Sequence, residues 1–144
     1  MMTAVDTNVI VALWDSDSSL NRLGKAALDT AAMQGSIVIS APVYAELLAA
    51  PGRDERFLAG FLADTAITVD WLLGEPVWRL AGRAFQARAT RRRSRREPGP
   101  RRILADFLIG AHARHINARL LTLDDRFYRS CFPGLTVVQP GRTD

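Results

Sequence analysis

At 144 residues, 48% of them hydrophobic, the chain has the makings of one compact core and too little length for two. A single cysteine, Cys131, excludes an internal disulfide or a zinc cluster, and no apolar run approaches the ~20 residues that cross a bilayer, so a reducing, cytoplasmic setting without membrane insertion or secretion is expected. The formal charge of +4 is uneven: eight arginines and Glu97 between Arg88 and Arg102 carry +7, which leaves −3 for the rest.

In chain order, Thr3 to Val5 reads as a first strand, and Asp6-Thr7-Asn8 supplies N-cap chemistry for a helix carrying Val9, Ile10, Ala12 and Leu13. A helix over 24–33 stops at Gly35, and the β-branched strand Ile37-Val38-Ile39 runs through Ser40 and Pro42 into another helix. A helix over 53–63, a strand over 67–69 and a long helix from Pro76 to about Arg92 follow, and Pro98-Gly99-Pro100 must break the last. Residues 103–117 read as helix, 119–122 as strand, 125–130 as a short helical turn and 136–138 as a final strand. Strands alternating with helices predict an α/β fold in three α/β/α layers, with a parallel sheet of about five strands covered on both faces. One domain is expected over 1–140, with a basic loop over about 91–102 and a polar tail over 141–144.

Four carboxylates interrupt segments that otherwise read as core: Asp6, Glu46, Asp106 and Asp124. Acids are rarely buried unless paired or bound to a metal. Asp6 closes the first strand, at the edge where open α/β sheets place ligands. It could equally be a plain N-cap, as could Asp124 ahead of the short helix, and Glu46 could be an ordinary exposed glutamate. Asp106 is the more telling residue, because helical spacing puts it on one stripe with Ile103, Ile109, Gly110 and Ala113, which ought to face the core.

Together, Val5-Asp6-Thr7-Asn8-Val9-Ile10, Tyr44-Ala45-Glu46-Leu47, Leu104-Ala105-Asp106-Phe107-Leu108-Ile109-Gly110-Ala111 and Leu121-Thr122-Leu123-Asp124 resemble the motifs of the PIN-domain ribonucleases, most of all those of the VapC toxins of bacterial toxin–antitoxin pairs. The resemblance spans the chain from Val5 to the last strand. It implies that Asp6, Glu46, Asp106 and Asp124 gather at one end of the sheet as catalytic carboxylates around Mg²⁺ or Mn²⁺. Thr7, Asn8 and Thr122 would support the ligands or position substrate, and Asp125 would be a spare acid. It further implies an endoribonuclease leaving a 5′ phosphate and a 3′ hydroxyl, a cognate antitoxin and a homodimer. The arginine stretch is longer and more basic than the family's usual connection, so its role does not carry over.

Hard oxygen ligands suit Mg²⁺ or Mn²⁺, which acidify a bound water and neutralise charge on a phosphodiester in in-line displacement. His112 and His115 lie three apart and could share a helix face as metal ligands, with core or surface hydrogen bonding as their ordinary role. Trp14, Trp71 and Trp78 could stack on bases, though packing in the core or a dimer fits their apolar settings better. No phosphate-binding glycine loop is present. Arg91, Arg92, Arg93, Arg95 and Arg96 read first as RNA-phosphate contacts, with a docking surface for an acidic partner or a solvated loop as alternatives. Other functions stand beside the toxin nuclease: a PIN-like module that binds RNA or a partner without cleaving, an RNA-processing nuclease without a toxin role, and a phosphotransfer receiver or phosphatase. The paired-acid arrangement expected of the last is missing around Asp6-Thr7-Asn8.

Overall fold

The computed structural model describes residues 1–95 and 103–141. Five parallel strands form one sheet: β1 (Thr3–Val5), β2 (Ile37–Ser40), β3 (Thr68–Asp70), β4 (Arg119–Leu121) and β5 (Val137–Val138), side by side in the order β3-β2-β1-β4-β5. Helices α1 (Thr7–Trp14) and α2 (Asn21–Gln34) link β1 to β2, and α3 (Ala41–Leu48) and α4 (Glu55–Thr65) link β2 to β3. Helices α5 (Glu75–Arg95) and α6 (Leu104–His115) lead to β4, and α7 (Asp125–Cys131) leads to β5. The expected three-layer α/β/α fold with a five-stranded parallel sheet is the one observed.

The central strands are apolar on both faces because helices cover both. Val5, Ile39, Leu120 and Leu121 are all essentially inaccessible to solvent. From β1 the chain steps outward twice, to β2 and β3, and then crosses back to β4 on β1's other side. The reversal opens a crevice between the carboxyl ends of β1 and β4, the usual binding position in open α/β sheets. Register fixes its walls, since Thr3, Ala4 and Val5 pair with Arg119, Leu120 and Leu121.

Element ends differ from the expectation by one to three residues, each for a local reason. Helix α4 starts at Glu55 because the Asp54 carboxylate accepts the Phe57 N–H at 2.8 Å and so caps it there. Helix α2 ends as expected at Gly35, where a Cβ would lie 1.7 Å from the Met1 carbonyl oxygen. The stripe expected on the Asp106 helix is corrected: Ile103 is 57% exposed at the N-cap, while Phe107 through Ala113 are all buried, so α6 is wrapped on nearly every side. Residues 91–95 are helical and extend α5, whereas Pro98-Gly99-Pro100 and the rest of the expected basic loop lie outside the described residues.

Gly110 lets α6 and α7 close on each other. A Cβ there would meet Phe132 Cε2 at 2.3 Å, with backbone fixed on one side and a buried ring on the other. Gly110→Ala is therefore expected to destabilise the fold by about 1–3 kcal/mol through overpacking. Gly60→Ala, in α4 with open space around the added Cβ, should instead stabilise it by about 0.5–1 kcal/mol. Urea unfolding midpoints of the two variants should move in opposite directions.

Candidate acidic site at the sheet switch point

Asp6 is the hub of the crevice. Its backbone N–H donates to the Leu121 carbonyl at 2.9 Å, which locks the end of β1 to β4. Its carboxylate Oδ1 accepts the Thr7 N–H at 2.8 Å, the cap of α1, and Oδ2 accepts the Thr122 hydroxyl at 2.7 Å. The cap and the site are thus one carboxylate using two oxygens. Asp6 is 5% exposed, and burial raises its pKa from 3.8 to about 6. The Thr122 and Thr7 donors and the facing Tyr128 hydroxyl oppose that rise, and the negative charge of Asp106 adds to it.

Around this hub the other expected residues arrive by different routes. Thr122 is fully buried just after β4, and its Oγ1 also accepts the Asp124 N–H at 3.0 Å, so one hydroxyl holds both Asp6 and the turn carrying Asp124. Asn8 Oδ1 accepts the Leu123 N–H at 3.1 Å and ties α1 to the same turn. The Thr7 hydroxyl donates to Glu46 Oε1 at 2.8 Å, which brings α3 to the crevice. Asp106 stands half-buried in the first turn of α6, within electrostatic range of Asp6. Asp124 occupies the N-cap position of α7 but makes no side-chain cap bond there, so its carboxylate is not committed to capping. Asp125 lies half-buried, with Arg129 Nε 3.6 Å away.

The four acids thus converge on one region, although no three Asp, Glu, His or Cys side chains among the described residues stand close enough to hold a metal ion as they are. The donors are all oxygen, the chemistry of a hard cation that keeps some of its water. One buried polar atom beside them also lacks a partner among the described residues. Tyr128, four residues after Asp124 on α7, is 1% exposed, and its hydroxyl is turned toward the acids without closing a hydrogen bond of ordinary geometry. Burial raises its pKa above the usual phenol range, and Asp6, Asp106 and Asp124 push it further. Residue types and burial therefore fit a divalent cation here.

Sequence reasoning misses Tyr128, for which the i, i+4 spacing from Asp124 is the available signal. His112 is corrected from possible metal ligand to core residue: it is 1% exposed and its Nε2 pairs with Asp70 Oδ2 at 2.9 Å, while His115 is exposed. The hydrogen bond to His112 holds the Asp70 carboxyl below its ordinary pKa. Of the tryptophans, Trp14 packs edge-on against Phe57 and Phe61, as expected of a core residue, while Trp71 and Trp78 are 59% and 48% exposed, so core packing, one of the two settings expected for them, does not hold for these two. The arginine helix docks on α7. Arg88 lies 5.2 Å from the centre of the Phe127 ring and Arg91 Nη1 donates to Ser130 Oγ at 3.3 Å, while Arg93 is exposed and Arg96 lies outside the described residues.

Comparison with known proteins agrees with this layout. VapBC-1 from nontypeable Haemophilus influenzae superposes with a TM-score of 0.67 at 19% identity, covering 99% of this chain and 100% of that one. FitAcB from Neisseria gonorrhoeae does so with a TM-score of 0.67 at 20% identity, covering 99% and 100%. VapC20 of Mycobacterium tuberculosis, described as a sarcin-ricin loop cleaving toxin, gives 0.57 at 16%, covering 89% and 94%. The comparison with curated proteins finds no match. The family model for the PIN domain matches residues 3–133, nearly the whole of the described fold and all four converging acids, and the chain belongs to the PIN domain family.

Proposed function

We propose that this protein is a Mg²⁺- or Mn²⁺-dependent endoribonuclease and the toxin of a toxin–antitoxin pair. The observation that carries the reading is the buried Asp6 carboxylate at the switch point, held by Thr122 and Thr7 with Asp106, Asp124 and the Thr7–Glu46 pair around it. Membership of the PIN family supports it, as do the toxin–antitoxin complexes and the RNA-cleaving toxin among its structural neighbours. Asp6, Glu46, Asp106 and Asp124 are the proposed metal-holding and catalytic acids. Bound there, the cation would supply an acidified water and neutralise charge on the phosphodiester. Thr122 and Thr7 then set the orientation of Asp6 and Glu46, Asn8 holds the turn that presents Asp124, and Asp125 remains in reserve.

Among the described residues no helix is long and apolar enough to cross a membrane. An antitoxin and a second copy of the chain are the proposed protein partners, supported by exposed apolar side chains such as Trp71, Leu72 and Trp78, and the proposed setting is cytoplasmic. A non-cleaving PIN-like binding module is the second reading, favoured by the absence of a preassembled cluster of three ligands among the described residues. Cleavage separates the two. Purified protein should cut single-stranded or looped RNA with Mg²⁺ or Mn²⁺ and stop in excess EDTA, whereas RNA retention without cleavage would select the binding module.

The buried acid also makes a pH prediction. Because the folded pKa of Asp6, about 6, exceeds its ordinary 3.8, the native state binds the proton more tightly than the unfolded chain. The metal-free protein therefore loses stability as pH rises between those values, by an upper bound of about 3 kcal/mol. Asp6→Asn removes that charge, so its stability relative to wild type should grow from pH 4 to pH 7 while RNA cleavage is lost. A difference independent of pH in chemical denaturation would show that Asp6 does not carry the strain.

The arginines of α5 are proposed to bind RNA phosphate, supported by their docking beside α7, which begins directly after Asp124. Replacing Arg91, Arg92, Arg93, Arg95 and Arg96 with glutamine should weaken RNA binding nearly uniformly across sequences. The slope of log affinity against log salt should shrink by ~0.7 for each phosphate of a single strand that is no longer neutralised. An unchanged slope in a filter-binding salt titration would assign the run to another role.

A further inference from the structure

Tyr128 holds a buried phenol whose hydroxyl is turned toward Asp6 without closing a hydrogen bond of ordinary geometry among the described residues, an unfavourable condition for a buried donor. The ring has little freedom to escape it. Phe127 meets it edge-on at 4.9 Å and Phe132 stacks on it at 6.5 Å, and Phe132 is itself seated in the gap left by the missing side chain of Gly110. The hydroxyl sits in the combined field of Asp6, Asp106 and Asp124, carboxylates that come from β1, α6 and the end of β4. A packing residue needs no hydroxyl there, since phenylalanine would fill the same space without the penalty.

We propose that Tyr128 is a positioning residue for Asp6: its hydroxyl donates to the Asp6 carboxylate when a divalent cation occupies the site and fixes the orientation in which that carboxylate serves as ligand. The inference rests on the metal-site reading above. Thr122 already donates to Oδ2 and the Thr7 N–H to Oδ1. A third donor, from α7, would complete the set of partners that aims the carboxylate.

The test compares wild type with Tyr128→Phe by Mn²⁺ titration calorimetry and by melting with and without Mn²⁺. The metal-free variant should melt at or above the wild-type temperature, because an unpaired buried hydroxyl has been removed. Its Mn²⁺ affinity should fall about 10-fold or more, with RNA KM unchanged and kcat reduced. Equal Mn²⁺ affinity in the two proteins overturns the inference alone, and so does a metal-free variant that melts well below wild type with cation affinity intact, the behaviour of a packing residue. Wild type that binds no Mn²⁺ overturns the metal reading and this inference together. An independent measurement uses the fact that Tyr44 and Tyr128 are the only tyrosines. In protein labelled with 3-fluorotyrosine, Mg²⁺ should shift the Tyr128 fluorine resonance and leave that of Tyr44 in place; a Tyr128 resonance indifferent to Mg²⁺ overturns the proposal.

Discussion

The hydrogen bond from Thr122 to Asp6 joins residues 116 apart in sequence at the point where the sheet reverses its direction of growth. The rest of the crevice depends on it. Without that donor, a carboxylate 5% exposed at the end of β1 would be a buried charge facing the equally buried end of β4, with the α1 cap as its remaining partner of normal geometry. With it, β1, β4, α1 and the Asp124 turn share one network, because the same hydroxyl also accepts the Asp124 N–H. The backbone bond from Asp6 to Leu121 sets the register that brings the two side chains together.

The network compensates Asp6 only in part, which is why its pKa remains raised against the Thr122 and Thr7 donors and the facing Tyr128 hydroxyl. Desolvation dominates, as expected for a charge that the fold excludes from water and that pairs with no cation among the described residues. Among the described residues, Arg88 and Arg91 are engaged with Phe127 and Ser130 of α7, while the buried His112 is held by Asp70. The electrostatic design is therefore an acidic crevice with basic residues on a flank, the layout on which the proposed cation and phosphate roles rest.

The architecture is legible in the sequence because its signals are local and repeated. Short apolar strands such as Thr3–Val5 and Ile37–Ser40, followed by the helix starts Asp6-Thr7 and Ser40-Ala41-Pro42, leave few alternatives to a parallel α/β sheet. The convergence of the acids is legible from ordered motifs and becomes geometry once the register is known. Tyr128 and the His112–Asp70 pair stay hidden for one shared reason: their meaning lies in which element they face. Periodicity reports that a residue is on the buried side of a helix, and does not report whether a carboxylate of another strand stands opposite. The same blindness produces the expectation of an apolar stripe on α6, whose surroundings are protein on nearly every side.

That enclosure of α6 has a mechanical consequence. Asp106 rides in its first turn, and the helix is held farther along by Phe107 against Phe85 and Phe127, by Gly110 against Phe132 and by His112 against Asp70. Together these contacts reach α5, α7 and β3, so the helix can neither slide nor rotate without breaking several at once. Asp6 is fixed by the strand, Thr122 and the cap, while Glu46 is reached through the single hydroxyl of Thr7. The acids therefore differ in rigidity. Asp6 and Asp106 form the stiff part of the crevice, and the Asp124 turn is tied to it through Thr122 and Asn8, so a change of shape needed to close on a ligand falls first to the Glu46 side chain on α3.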